Sequence, residues 1–127
     1  MMMKKQLLMV LAIMGALALV SPVALSHSDA KPQHGGVLHS KYDLNFELVR
    51  EADSISLYVD DHGEPVDTTA LTGQIMILAG GERSEAALVA AGAGKLIATG
   101  VHIPDGARVV VSLTDADNKV MTVRYIF

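Results

Sequence analysis

Histidine is the side chain in this sequence best suited to metal chemistry, and three of the five histidines fall in one short stretch, HSDAKPQHGGVLHS, as His27, His34 and His39. A neutral imidazole is a favoured ligand for zinc and for oxidised copper. The chain has no cysteine, so a metal site here must be built from imidazole, carboxylate and, at a new chain terminus, the α-amine. His34 and His39 are five residues apart, which suits neither one face of a strand nor one face of a helix. The Gly35-Gly36 pair between them supplies the backbone freedom to bring them together. The competing reading of these residues is a solvated polar arm ahead of the first strand. His27 adds a specific chelate: if processing frees its α-amine, amine and imidazole of one residue bind copper(II), with His34 or His62 completing a nitrogen-rich site.

His62 lies in Asp60-Asp61-His62-Gly63-Glu64. Four ionisable side chains in five residues either hold a metal or make a solvated turn in which Asp forms the bend. Glu47 shares a strand face with Asn45 and Val49, opposite Leu44, Phe46 and Leu48. It reads either as a carboxylate ligand or as an outward residue that keeps the strand soluble. His102, in GVHIPDG, reads as a loop histidine without a role. Met76 and Met121 alternate with apolar residues and read as packing.

Catalysis finds little support. There is no cysteine nucleophile and no G-x-S-x-G elbow. GAGKL resembles a phosphate loop only superficially, because Val89 and Leu96 stand where the earlier glycine and the hydroxyl are required. The expectation is a protein that is not an enzyme.

The elements that must position these residues follow a leader. Lys4 and Lys5 precede an apolar run from Leu7 to Val20, ended by Ser21-Pro22 and the small residues Ala24 and Ser26, the layout of a secretory signal peptide over residues 1–26. Cleavage after Ser26 leaves His27 first; a cut after Ala30 is the alternative. The competing reading is an uncleaved membrane anchor, since Leu7 to Leu25 is about long enough to span a bilayer. The leader implies a periplasmic or otherwise exported protein. It carries Met1, Met2, Met3, Met9 and Met14, five of the seven methionines, so the mature chain has no methionine-rich copper(I) motif. Its loss takes the formal charge of −4 to about −6. That acidic balance, without a basic run, excludes nucleic acid as an expected partner.

The mature chain, about 100 residues, is one small domain held by packing alone. Residues 27–36 read as a flexible histidine-containing arm and 37–127 as the domain. From there the hydrophobic period is two. DLNFELV and SISLYVD each read as a half-buried strand, joined tightly through READ. Further strands are expected at Gln74 to Ala79, Ser84 to Ala90, Lys95 to Gly100, Arg108 to Thr114 and Val120 to Phe127, separated by turn formers such as Gly80-Gly81 and Pro104-Asp105-Gly106. The alanines of SEAALVAAG would suit a helix, but its length and glycine bounds favour a strand. About seven short strands at near-regular spacing predict an all-β, antiparallel immunoglobulin-like sandwich or, alternatively, a small barrel.

His34-Gly35-Gly36-Val37, FELV at Phe46 to Val49, LYVDDHGEPV at Leu57 to Val66 and the closing TVRYIF resemble a group of small exported bacterial proteins. The same order is similar to a segment of periplasmic adaptor subunits of cobalt-zinc-cadmium efflux systems. The resemblance implies a β-sandwich module in a heavy-metal context, with His34, Glu47 and His62 as ligand positions; His27, His39 and His102 do not belong to it. The chain lacks the helical hairpin and lipoyl-like halves such an adaptor needs. The leading expectation is therefore a periplasmic metal-binding protein for copper(II) or zinc, a carrier, buffer or accessory whose partner is an efflux adaptor or pump. Its sandwich fixes His62 and Glu47 while the arm brings His34, and His27 or His39, across. The rival expectation is a metal-independent interaction domain docking on an envelope or efflux complex.

Overall fold

The structure is a computed structural model that describes residues 30–127; the predicted leader and His27 lie outside the described residues. Among the described residues, nine strands follow one another: β1 (Val37–Lys41), β2 (Leu44–Arg50), β3 (Ser54–Asp61), β4 (Glu64–Pro65), β5 (Thr72–Ala79), β6 (Glu82–Ala90), β7 (Lys95–Thr99), β8 (Arg108–Thr114) and β9 (Val120–Ile126). The all-β antiparallel class is as expected, and the expected strands are present. The two additions are β1, too polar in VLHSK to show an alternation, and the two-residue β4.

Tight turns set the ladder. Gly80 and Gly81, at φ 59° and 81°, make the two-residue bend that joins β5 to β6. The left-handed backbone at both positions matches the twist of a hairpin, so the alanine-rich SEAALVAAG is held as a strand rather than a helix.

The strand order is β1-β2-β3-β7-β6-β5-β8-β9, with β4 beside β3. Strands β5, β6 and β7 form consecutive hairpins and β8 returns beside β5, a Greek key. Strand β6 serves both halves: Gly73 to Ala79 pair with its residues Glu82 to Leu88, whereas its Val89 and Ala90 pair with Ile97 and Leu96 of β7. The sheet therefore bends through β6 into a nearly closed barrel. At the remaining seam, β1 and β9 meet through side chains: Lys41 Nζ donates to the Thr122 carbonyl at 2.8 Å, and the Thr122 amide donates to the Tyr42 hydroxyl at 3.1 Å.

Alternate residues fill the interior. Phe46 and Leu48 of β2, Leu57 and Val59 of β3, Ile75 and Ile77 of β5, Val109, Val111 and Leu113 of β8, and Tyr125 of β9 supply the core. Burying each such aliphatic or aromatic side chain stabilises the fold by roughly 1.5–3 kcal/mol. Tyr125 crosses the interior to donate its hydroxyl to the Phe46 carbonyl at 3.0 Å. Burial first, and the negative charge of Glu47 second, raise its phenol pKa far above the ordinary range.

Candidate functional site

The outer face of β2 and β3 carries the row from which the site is built. Glu47 pairs with Tyr58 across the two strands, and Tyr58 pairs in turn with Lys95 of β7. Alternation points all three away from the barrel interior. Glu47 nevertheless has only 2% of its surface exposed, because residues 33–36 lie across it. Of the two readings of Glu47, this sets aside the solvated one that keeps the strand soluble. Its carboxylate accepts the backbone N–H groups of Gln33 at 2.9 Å, of His34 at 2.9 Å and of Gly36 at 2.8 Å. Gly36 has no room for a side chain: a Cβ there would overlap the Leu48 carbonyl oxygen and come within 2.7 Å of Val49 Cγ2. The last residues of the predicted arm are thus docked, with Val49 and Glu47 beneath them.

His34 follows from that docking. Its ring Nδ1 lies 3.1 Å from Glu47 Oε1, and its ring stacks on Tyr58 with centroids 3.6 Å apart and planes 1° from parallel. The side chain is 43% exposed. With Nδ1–H donated to the carboxylate, the neutral imidazole presents its Nε2 lone pair on the other side of the ring. For Glu47, burial is the largest influence and pushes its pKa up, but the donors from Gln33, Gly36 and His34 outweigh it and hold the carboxyl below its ordinary value.

His62 is set by a different device. His62 and Gly63 have φ of 55° and 94° and form a two-residue turn between Asp61 and Glu64, which pair as the first rung of β3 and β4. Asp60 organises the turn, its Oδ1 accepting from the Gly63 amide at 2.9 Å and from Asn45 Nδ2 at 2.9 Å. The largely exposed His62 ring has Nδ1 2.7 Å from Asp61 Oδ1. It too has a carboxylate on Nδ1 and a free Nε2.

His34 and His62 line one open cleft of about 1070 Å³, whose walls include Tyr42, Asn45, Tyr58 and Asp60. They sit at different points along it. His34 lies over Tyr58, which stands three residues before the end of β3 at Asp61, about 10 Å of extended backbone, and His62 follows in the turn beyond that end. His39 is not brought to them: it packs at the seam, its ring 4.9 Å from that of Tyr125. His102 lies at a separate cavity of about 450 Å³ beside Asp53 and Pro104. Among the described residues, no three His, Asp or Glu side chains are grouped as a metal ion would require.

Tyr58 is the site residue that the sequence reading missed. Its signal was present: an aromatic side chain at an outward strand position calls for something to cover it. Compared with protein-family models, with curated proteins and with solved structures, the chain matches none.

Proposed function

We propose that this protein is a periplasmic carrier, buffer or accessory of heavy-metal efflux that takes up copper(II) or zinc through Nε2 of His34 and Nε2 of His62. One observation carries the reading: each of these cleft histidines has its Nδ1 on a carboxylate, His34 on Glu47 at 3.1 Å and His62 on Asp61 at 2.7 Å. Metal-binding histidines typically donate their second ring nitrogen in this way, which fixes the tautomer, orients the ring and raises the basicity of the ligating nitrogen. Glu47 then acts as an orienting group rather than a ligand, its oxygens being occupied by the arm.

The separation of the two histidines along the cleft gives the proposal its character. An ion that uses both must draw the arm and the turn together, and the ordering costs entropy. Moderate affinity follows. Two protein ligands also leave coordination positions for an incoming group, as transfer to an adaptor or pump demands; His27, from outside the described residues, is a candidate third ligand. His39, against Tyr125 at the seam, has no part in this site.

The test is metal binding to the wild-type protein and to the His34→Ala/His62→Ala variant, by native mass spectrometry with copper and zinc supplied in turn. One ion on the wild type and none on the variant is expected. Stoichiometric binding by the double variant overturns the assignment. Saturating metal should also raise the unfolding free energy of the wild type, by about 2.7 kcal/mol at a hundredfold excess over Kd. The second reading, a metal-independent interaction domain, is favoured by a different surface, the outer face of β5, β8 and β9.

A further inference from the structure

That face lies on the opposite side of the barrel from the cleft. Its side chains can be read directly from the register. Leu78 of β5 pairs with Arg83 of β6 and with Arg108 of β8, and Arg108 pairs with Ile126 of β9. On the next outward rung Met76 pairs with Glu85 and Val110, and Val110 pairs with Arg124. Guanidinium and apolar groups therefore alternate along the first rung, and on the second Met76 and Val110 lie between Glu85 and Arg124. Ile126 is 75% exposed, and Leu78 and Val120 are exposed as well.

The charge of this face opposes that of the molecule. The whole chain has a formal charge of −4, yet these two rungs carry three arginines and one carboxylate. Arg83 pairs with Glu85; Arg108 and Arg124 are in no ion pair among the described residues. Scattered exposed hydrophobes need no explanation, but here they are interleaved with unpaired guanidinium groups.

Three occupants can be compared. A second copy stacked on this face about a two-fold axis would set arginines against arginines, with only the already paired Glu85 to offset them. An extended peptide lying across the face needs a groove, and neither of the two cavities described above includes Arg108, Arg124 or Ile126. An anionic lipid surface satisfies both components at once. Guanidinium groups bind phosphate bidentately, and short apolar side chains between them reach the boundary between headgroups and acyl chains.

We infer that the outer face of β5, β8 and β9 docks the barrel on an anionic phospholipid surface. Docked in this way, the protein turns the cleft of His34 and His62 away from the lipid and into the aqueous phase. The inference is independent of the metal reading and stands or falls by a different measurement.

The experiment is co-sedimentation of the protein, purified as processed by cells expressing the whole chain, with vesicles of phosphatidylglycerol and phosphatidylcholine, compared with phosphatidylcholine alone. Wild type should bind only the anionic vesicles and release them at high salt. Arg108→Gln/Arg124→Gln should weaken binding about 25-fold, some fivefold for each arginine, with its thermal unfolding unchanged because both positions are exposed. Ile126→Ser should also weaken binding, at unchanged charge, which separates the face from general electrostatics. Equal binding of wild type and arginine variant overturns the inference, as does equal binding to both vesicle types, the result expected if the apolar leader holds the lipid. Self-association that the arginine variant abolishes, without vesicle binding, overturns it in favour of a second copy.

Discussion

The outer face of β2 and β3 and the outer face of β5, β8 and β9 are built on the same alternation and meet opposite fates. On the first, residues 33–36 lie across Glu47 and Val49, and every residue from Phe46 to Val49 is buried. On the second, Arg108, Arg124 and Ile126 face outward in the open. Alternation decides which side chains leave the barrel interior. What they find outside is decided elsewhere in the chain, here by an arm more than ten residues distant.

The covered face holds together through one carboxylate, so the strongest way to break the comparison is to remove it. Glu47→Ala orphans three backbone donors and should cost about 3 kcal/mol, read as a lower urea midpoint with an earlier loss of protection at Gln33, His34 and Gly36. Gly36→Ala attacks the same cover sterically, driving a methyl group into the Leu48 carbonyl and Val49. It should cost about 2 kcal/mol and release the arm without touching the carboxylate. If either variant keeps the arm protected and full stability, the cover is not what buries Glu47.

Acid sharpens the same contrast. The folded-state pKa of Glu47 lies below its ordinary value of 4.5, so its contribution to stability is complete above that value and is lost as pH falls through the lower folded value. NMR spectra of the arm amides should therefore change on acidification below pH 4.5 while those of β5 and β8 hold. A smaller effect is expected from Tyr58→Leu, which removes the stack under His34 at about 1 kcal/mol and should weaken metal uptake if that stack orients the imidazole. The smallest belongs to the bare face: Arg124→Gln should change stability by less than about 0.5 kcal/mol. A large effect there would mean that the face is structural rather than a docking surface.

Most of the fold was legible because the strands alternate cleanly and are punctuated by glycine and aspartate turns. The candidate site was legible only in its chemistry. His34 and His62 line one cleft, but their spacing along it depends on where the arm lies, and that is set by the fit of Gly36 over Leu48 and by the donors that converge on Glu47. Glu47 read either as a ligand or as a solvated residue because a period of two carries no information about a roof. His39 looked like a neighbour of His34 because the two are close in sequence, whereas pairing of β1 with β2 sets His39 opposite Phe46 and turns it to the seam.

The strand that belongs to both halves of the barrel also governs how the barrel can assemble. The hairpins of β1, β2 and β3, and of β5, β6 and β7, join residues close in sequence and can form early. Pairing β3 with β7 and β5 with β8 must close loops of about thirty residues or more, at an entropic cost that slows folding. Because β6 is laddered to β5 along most of its length and to β7 at its end, neither half can be completed alone. Amide exchange in the interior strands should follow one global opening, and folding should be slow and all-or-none.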